Sequence, residues 1–237
     1  MKLIHFEVID STSTFLKKNY HCYQNLTFVS AEEQTEGKGR QDKIWSSEKG
    51  KNLLFSVLIK NKRLIENYRT ISIVSGYAVL EVLKSYGLNN LSIKWPNDVY
   101  VNEQKICGIL LEAVSTQEIE CLIVGIGINV NQRHFAEEYQ VEPTSVSSQL
   151  ARDINLEQFK SAVYSKLIEN FKLVEEGYDF YSQVSQYDYL RNRKVYALIS
   201  NEKKLVKVLG INSDYSLRVI AENKQLDLEA GQVSFSL

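Results

Sequence analysis

Two long segments of the 237-residue chain carry apolar residues at helical spacing. In residues 71–83 the apolar positions recur every three or four residues, and Gly87 follows as a helix stop. The same spacing runs through residues 156–174, directly after Asn155, which is placed to cap a helix. A shorter helix is predicted after residues 10–13, where four polar side chains can serve as caps.

Several shorter segments have the length and composition of strands. Before residue 190 the predicted strands are 27–31, 53–60, 91–95, 98–101, 105–114 and 121–130. The last of these is apolar almost without interruption, which indicates a strand buried on both faces. A polar loop with glycines, residues 32–52, separates the first two, and a tight turn at Asn102-Glu103 joins strands 98–101 and 105–114.

The C-terminal part of the chain has a different pattern, with strands alone. The predicted strands are 194–199, 204–209, 216–220 and 232–235, separated by turn residues that include Asn201, Asn212 and Gly231. We place the boundary in the polar, aromatic stretch 181–188 and expect two domains, residues 1–186 and 187–237. The second is predicted to be a small barrel that packs on the first, because it could bury little apolar surface alone.

Composition excludes several classes of protein. The 28 Lys and Arg against 29 Asp and Glu leave a formal net charge of -1, which does not favour a general nucleic-acid binder. No apolar run is long enough for a membrane span, and the first ten residues lack the features of a signal peptide, so we expect a cytoplasmic protein. The 3 cysteines fit neither a disulfide framework nor a zinc site.

Scarce residue types cluster between positions 34 and 131. Both tryptophans, one of the 2 prolines and five of the 11 glycines fall in four short segments there. They are Trp45, Trp95, Pro96, Gly37, Gly39, Gly108, Gly125 and Gly127. Such a concentration indicates a functional site.

The first segment, residues 34–45, combines two glycines with Lys38, Arg40 and Lys43. Glycines let backbone N–H groups approach a ligand, and the cations suit a phosphate or carboxylate. The spacing is not that of a P-loop, because Gly39 follows Lys38 where Ser or Thr is required. A solvated surface loop with ordinary charges is the alternative.

The second segment is Lys94-Trp95-Pro96-Asn97-Asp98. Pro96 favours an extended Trp95, and Asn97 and Asp98 then lie at a turn between two strands, where an amide and a carboxylate can face one cavity. An ordinary turn is the alternative.

In the third segment Lys105 opens an otherwise apolar strand. Burial of a lysine costs desolvation unless an anion is near, so a bound carboxylate or phosphate is one interpretation and an edge lysine reaching solvent is the other. The fourth segment, residues 125–131, is not a dinucleotide fingerprint, because Val130 stands where glycine is required. Its glycines fit a bulge or a ligand lying against the backbone.

Together these segments resemble the catalytic core of the biotin protein ligases. The family pattern is D-S-T-N, Q-x-x-G-R-G-R-x-G-R-x-W, K-W-P-N-D, a lysine before G-I-L-x-E, and G-x-G-I-N. The chain matches it at residues 10–12, 34–45, 94–98, 105–112 and 125–129. Pro143-Thr144-Ser145 and the closing segments 209–211 and 230–234 are also similar to the family.

This resemblance implies an α+β fold: a mixed sheet with flanking helices, like the class II aminoacyl-tRNA synthetase and biotin ligase catalytic fold, and a small C-terminal SH3-like barrel. It implies activation of biotin with MgATP to biotinyl-5′-AMP, then transfer of biotin to a lysine of a carrier domain. The expected carrier belongs to acetyl-CoA carboxylase or another biotin-dependent carboxylase. A homodimer is left open.

The resemblance also assigns roles to residues. The biotin contacts are Ser11, Thr12, Gln34, Gly37, Lys38, Trp45, Lys105, Gly108, Gly125 and Gly127. The contacts to ATP or the adenylate are Arg40, Lys43, Trp95, Asn97 and Asn129, and Asp98 is the expected magnesium ligand. Lys105, Arg40 and Lys43 are expected to neutralise the charge that develops in the reaction, with residues 37–45 closing as a lid.

The chain departs from the family pattern at several positions. Ser13 replaces the usual Asn, Asp42 stands where the family has Gly, and Lys38 and Lys43 stand where Arg is more common. Lysine lacks the bidentate geometry of arginine toward phosphate. We therefore expect the contacts to the phosphates, and the loop conformation near Asp42, to differ from those of the family.

Two alternatives remain at this point. One is a lipoate-protein ligase, which shares the fold and the adenylate chemistry; the Gly-Lys-Gly-Arg loop and Lys-Trp-Pro-Asn-Asp favour biotin. The other is a biotin-sensing module without ligase activity. Because the first motif begins at Asp10, we expect no DNA-binding domain before it and no DNA partner.

Overall fold

The computed structural model describes residues 2–40, 43–135, 141–199, 202–230 and 235–236. The helices are α1 (Thr12–Asn19), α2 (Lys62–Glu66), α3 (Tyr68–Ser85), α4 (Val146–Leu150), α5 (Leu156–Glu175) and α6 (Tyr181–Val184). The strands are β1 (Lys2–Ile9), β2 (Thr27–Gln34), β3 (Leu53–Ile59), β4 (Leu91–Lys94), β5 (Asp98–Val101), β6 (Gln104–Ser115), β7 (Ile119–Ile128), β8 (Lys194–Ile199), β9 (Glu202–Ile211), β10 (Leu217–Ala221), β11 (Lys224–Leu228) and β12 (Phe235–Ser236).

The main sheet has seven strands in the order β1-β2-β3-β7-β6-β5-β4. Strands β1 and β2 pair in parallel, and the remaining neighbours pair antiparallel. Helices α3 and α5 contact each other, and α3 also contacts β4, β5 and β6, whereas α1 contacts β2, β3 and β7. This mixed sheet with flanking helices confirms the predicted α+β class.

Strand β7 is buried on both faces, as its apolar sequence predicts. Leu122, Val124 and Ile126 belong to the large core, and Cys121 and Ile123 belong to a smaller core that includes residues of α1. Apolar residues can therefore occupy successive positions, because each face of the strand packs against its own cluster.

Local side-chain chemistry explains where the helices and hairpins begin. Ser11 Oγ accepts the backbone N–H of Thr14 at the start of α1, and Asn155 Oδ1 accepts that of Gln158 at the start of α5. The β5–β6 hairpin turns at Asn102-Glu103, where φ is 47° and 65°. Positive φ at both central residues is the geometry that a two-residue hairpin requires.

Some elements are absent from the sequence predictions. Strands β1 and β11 are largely exposed edge strands, so their sequences lack the apolar continuity of the central ones. Helices α2, α4 and α6 have only four or five residues, too few for an apolar period to repeat. The predicted turn at Asn201 and the segment 231–234 lie outside the described residues.

The C-terminal part forms a five-stranded sheet in the order β11-β10-β9-β8-β12, with antiparallel pairing throughout. Its inward residues, such as Val206 and Val219, belong to the same apolar core as the main sheet. Trp95 Nε1 donates to the Tyr215 carbonyl at 2.8 Å, which ties the two sheets together. The division into residues 1–186 and 187–237 is kept as our proposal. In the described ranges no helix is both long and apolar enough to span a membrane.

Asp188 supports the C-terminal sheet through a buried carboxylate. Its Oδ1 accepts the N–H of Leu190 and its Oδ2 that of Ile211, each at 3.0 Å. Burial raises the pKa of Asp188, while those two N–H groups and Arg191 oppose the shift. The carboxylate therefore serves as an acceptor for backbone groups that have left water.

We expect Asp188→Ala to lower the free energy of unfolding by about 3 kcal/mol, because two buried donors lose their acceptor. The control is Asp227→Ala, which removes a half-exposed partner of Arg218 and should cost less than about 1 kcal/mol. Urea unfolding of both variants measures the difference. Equal losses in the two variants would contradict the role assigned to Asp188.

Candidate active site

The principal cavity, defined by the proposed site residues that line it, has a volume of about 490 Å³ and lies among the start of α1, loop residues 38–40 and 43–46, the 94–98 turn and the middle of strands β3, β6 and β7. The residues proposed from the sequence that line it are Ser11, Thr12, Gln34, Lys38, Arg40, Lys43, Trp45, Trp95, Asn97, Asp98, Lys105, Gly108, Gly125, Gly127 and Asn129. Gly37 instead lines a neighbouring cavity of about 850 Å³, which shares Arg40, Lys43 and Asn97 with the first.

One end of the principal cavity is built from buried hydroxyl groups and an amide. Gln34 Oε1 accepts from the backbone N–H of Thr12 at 2.8 Å and from its hydroxyl at 3.0 Å. The hydroxyl of Ser56, in β3, lies 2.7 Å from that of Thr12 and 2.9 Å from that of Ser13. These contacts hold the polar groups in fixed directions along the cavity wall.

The opposite end gathers cations. Five basic side chains line the cavity, Lys38, Arg40, Lys43, Lys94 and Lys105, against Asp98 as the single acidic one among the described residues. The Nζ of Lys105 lies 2.9 Å from Asp98 Oδ1. This excess of positive charge suits a ligand with several negative charges.

Lys94 shows the electrostatic effect of burial beside other cations. Burial is the main cause that lowers the pKa of Lys94, and the cations Lys105, Lys43 and Arg40 lower it further, while Asp98 opposes them. Burial also lowers the pKa of Arg40, again opposed by Asp98. A bound anion would relieve both effects, because it would stabilise the charged forms.

The side-chain amide of Asn97 holds the 94–98 turn in place among the charged groups. Asn97 Nδ2 donates to the Ile109 carbonyl at 2.7 Å, and the Ile109 N–H donates back to the Asn97 carbonyl at 2.9 Å. Asn97 Oδ1 accepts from Arg40 Nη1 at 3.2 Å. The Trp95-Pro96 peptide is cis, and residue Trp95 is 2% exposed. Asn97 thus connects the turn, strand β6 and the basic loop, which comprises the described residues 37–40 and 43–46.

The basic loop folds back on itself and reaches the C-terminal sheet. Trp45 N–H donates to the Gly37 carbonyl at 2.9 Å, and Gly39 N–H to the Lys43 carbonyl at 2.7 Å. Arg40 Nη2 donates to the Ala230 carbonyl at 2.7 Å, which joins the loop to the segment after β11. The predicted effect of Asp42 on this loop falls outside the described residues.

Glycines at the cavity floor admit a tryptophan ring. A Cβ added to Gly127 would lie 2.5 Å from a ring atom of Trp45, and one added to Gly108 would lie 2.7 Å from another. The Nζ of Lys105 lies 5.5 Å from the centre of the same ring. The indole therefore packs directly on the backbone of β6 and β7, at a distance that only glycine permits.

Asn129 is held by hydrogen bonds to backbone carbonyl groups. Its Nδ2 donates to the Thr144 carbonyl at 3.1 Å, and its backbone N–H donates to the Ile106 carbonyl at 2.9 Å. Lys105 lies beside the same segment, because its N–H donates to the Glu142 carbonyl and its own carbonyl accepts from Thr144. The Pro143-Thr144-Ser145 step thus borders the cavity next to Lys105.

Magnesium is expected from the sequence resemblance, and Asp98 is the carboxylate available to it. Among the described residues no group of three or more His, Cys, Asp or Glu side chains could hold a metal ion. One carboxylate fits Mg²⁺ that arrives with a nucleotide, because this ion commonly takes one or two carboxylates together with substrate phosphates and water.

Ser56 and Lys94 are among the lining residues that were not proposed as site residues from the sequence. Ser56 is the only polar residue of β3, and such a lone hydroxyl in an apolar strand is a signal that could have identified it. Lys94 belongs to the Lys-Trp-Pro-Asn-Asp segment, and its position across the strand pair from Asp98 follows from the β4–β5 register.

The fold and cavity define a class of protein whose site combines fixed hydrogen-bonding groups with an excess of basic side chains. The chain belongs to the biotin/lipoate A/B protein ligase family, whose model matches residues 5–129, more than half of its 237 residues.

Known proteins agree with this assignment. The chain is 32% identical over 153 residues to the bifunctional ligase/repressor BirA of Bacillus spizizenii, covering 61% of this chain and 46% of that protein. It is 29% identical over 217 residues to BirA of Escherichia coli K12, covering 89% and 66%. The chain thus spans about half the length of the Bacillus relatives that it matches.

A solved structure extends the likeness over both sheets. The biotin protein ligase from Aquifex aeolicus in complex with biotin and ATP superposes with a TM-score of 0.86 at 30% identity. The superposition covers 99% of this chain and 98% of that one.

We expect Gly127→Ala to displace the Trp45 ring, because the new methyl group would overlap it. Ligand affinity should fall by about tenfold or more, since the cavity floor would change shape. Calorimetric titration with biotin, a ligand in the Aquifex aeolicus complex, measures the loss. Gly50→Ala, in open space on the surface, is the control for substitution of a glycine as such, although its φ of 70° adds backbone strain. Unchanged affinity in Gly127→Ala would contradict this account of the floor.

Proposed function

We propose that the chain is a biotin protein ligase that forms biotinyl-5′-AMP from biotin and MgATP and then biotinylates a lysine of a carrier domain. The observation that carries the proposal is one cavity lined both by a fixed hydroxyl and amide cluster and by five basic side chains. The polar cluster suits the ureido head of biotin, and the basic end suits its carboxylate with the phosphates of ATP.

In the first step a biotin carboxylate oxygen attacks the α-phosphorus of ATP, and the bond from that phosphorus to the bridging oxygen breaks. Pyrophosphate leaves with the electron pair of that bond. A carboxylate is already nucleophilic, so the step requires fixed positive charge and positioning rather than a general base. Lys105, Arg40 and Lys43 would supply the charge, with Lys94 as a fourth cation.

In the second step the amine of the carrier lysine attacks the carbonyl of the mixed anhydride. AMP is the leaving group, and the amine loses one proton as the amide forms. The proposed carrier belongs to acetyl-CoA carboxylase or another biotin-dependent carboxylase, and we propose the cytoplasm as the compartment. The relatives support the carrier proposal through the biotin–[acetyl-CoA-carboxylase] ligase of Paracoccus denitrificans, 30% identical over 159 residues.

The site residues keep the roles proposed from the sequence. Ser11, Thr12 and Gln34 would hold the ureido head, while Gly108, Gly125, Gly127 and Trp45 would border the rest of biotin. Gly37 and Lys38 would contribute through the loop backbone. Asn97, Trp95 and Asn129 would shape the nucleotide side, mainly through the scaffold contacts described above.

Magnesium would enter as the ATP complex, with Asp98 as its protein carboxylate. When bound, Mg²⁺ neutralises charge on the phosphate oxygens. The ion pair between Asp98 and Lys105 places that carboxylate at the cationic end of the cavity. Asn97 would keep the turn in place through its contacts to Ile109 and Arg40.

Residues 37–45 would act as a lid over the reactive anhydride. Arg40 supports this role, because its guanidinium connects the loop to Asn97 and to the Ala230 carbonyl. An ordered cover over the cavity would exclude water from an intermediate that hydrolyses readily.

The decisive test is biotin-dependent exchange of labelled pyrophosphate into ATP, with lipoate in place of biotin as the comparison. We expect exchange with biotin and none above background with lipoate. Exchange with lipoate alone would favour a lipoate ligase, and tight biotin binding without exchange would favour a binding module.

Two substitutions should distinguish the role of Lys105 in adenylation from the role of Arg40 in the lid. Lys105→Ala should reduce exchange by about 10²-fold or more, because it removes a cation at the reacting atoms. Arg40→Gly should leave exchange measurable but release the adenylate, seen as biotin labelling of lysines on bovine serum albumin added to the reaction.

The control for both is Lys17→Ala, which removes an exposed partner of Glu112 and should leave exchange unchanged. Circular dichroism checks that each variant is folded. Full exchange in a folded Lys105→Ala protein would contradict the role of that lysine in the proposed mechanism. Albumin labelling with Arg40→Gly no higher than with the wild-type protein would contradict the proposed lid.

A further inference from the structure

Four side chains at the polar end of the cavity form one continuous chain of hydrogen bonds. They come from three elements: Thr12 and Ser13 from the first turn of α1, Gln34 from the end of β2, and Ser56 from the middle of β3. All four line the cavity, and the three hydroxyl residues are at most 5% exposed. Their hydrogens therefore have few partners besides one another and a ligand.

The direction of this chain follows from its first contact. The backbone N–H of Thr12 can only donate, so the Gln34 atom that it meets at 2.8 Å must be the amide oxygen. That oxygen can only accept, and the Thr12 hydroxyl at 3.0 Å must therefore donate to it. With its one hydrogen used, Thr12 Oγ1 accepts from Ser56 at 2.7 Å.

The same counting applies to the next contact. Because Ser56 gives its hydrogen to Thr12, the 2.9 Å contact between Ser56 and Ser13 requires Ser13 to donate. Hydrogens thus run from Ser13 to Ser56 to Thr12 to Gln34. Ser13 Oγ is left with acceptor capacity alone, whereas the Gln34 amide nitrogen keeps its two hydrogens for donation.

Gly125 helps to keep Ser13 in this arrangement. A Cβ at position 125 would lie 2.6 Å from Ser13 Oγ, so any larger residue would push that hydroxyl away from Ser56. The position of Ser13 also matters, because the related family pattern has Asn there. An Asn amide can donate or accept, whereas a serine hydroxyl whose hydrogen is used elsewhere can only accept.

We propose that Ser56 is a positioning residue that sets the hydrogen-bond polarity of the site, so that Ser13 accepts an N–H of the ureido ring. This inference rests on the proposed function and adds a determinant of specificity to it. A cyclic urea presents N–H donors beside a carbonyl acceptor, which matches Ser13 as acceptor and Gln34 as donor. The dithiolane ring of lipoate presents no N–H and would leave the Ser13 oxygen without a donor.

The test uses biotin and its two cyclic carbamate analogues, in each of which a ring oxygen replaces one ureido N–H. In the wild-type protein the analogue whose oxygen faces Ser13 should bind about tenfold or more weakly than biotin, because two acceptors then face each other. In Ser56→Ala the Ser13 hydrogen is free to turn toward the ligand. The affinity gap, which is the ratio of the affinity for biotin to the affinity for that analogue, should then fall to about threefold or less.

Ser75→Ala is the matched control. Ser75 is also a fully buried serine, but its hydroxyl donates to the Ile71 carbonyl within α3 at 2.7 Å, so this variant should keep the wild-type gap. If Ser56→Ala fails to fold, Ser13→Ala decides the matter, because removal of the acceptor should also narrow the gap. Calorimetric titration measures each affinity, and thermal unfolding checks each variant.

The outcomes separate this inference from the proposed function. If Ser56 acted only by supporting the fold, the affinities for biotin and the analogues would fall together and the wild-type gap would persist, which would overturn the inference. Biotin-dependent pyrophosphate exchange by the wild-type protein would meanwhile leave the proposed function standing. Absence of that exchange would remove the function whatever the affinity gap.

Discussion

The constraint on which the site depends is the collection of like charges in a partly buried cavity. Five basic side chains line the cavity against one carboxylate, and the pKa of Lys94 is lowered chiefly by burial and further by three neighbouring cations. The ion pair of Asp98 with Lys105 and the double hydrogen bond between Asn97 and Ile109 hold the charges in place. An anion that offsets the repulsion would stabilise the folded chain as it binds.

The sequence predicted the centre of the fold better than its margins. Helices α3 and α5 and strand β7 bury whole faces, so their apolar spacing is distinct. Strand β1 is paired on one side only, and its main contribution is backbone pairing with β2, which leaves little trace in side-chain pattern. The contact of the C-terminal sheet with the Trp95 turn is likewise a property of tertiary packing that residue spacing does not encode.

For the site, the scarce residues were the effective guide. Trp45 and the glycines at positions 108 and 127 lie far apart in the sequence, and in the structure the ring rests on both glycines. Ser56 escaped notice because its importance comes from the hydrogens of its neighbours rather than from its own chemistry. Such directionality depends on three elements meeting, and it becomes visible only when their distances are known.

The two tryptophans offer separate optical signals. Trp95 is buried at the junction of the sheets with its indole nitrogen bonded to the Tyr215 carbonyl, whereas Trp45 lies on the cavity floor beside Lys105. Because the chain has only these 2 tryptophans, its intrinsic fluorescence is the sum of one probe on the cavity floor and one where the cavity meets the junction of the sheets. Replacement of either ring by phenylalanine would leave one reporter, so a change at the cavity floor could be followed apart from a change at the junction of the sheets.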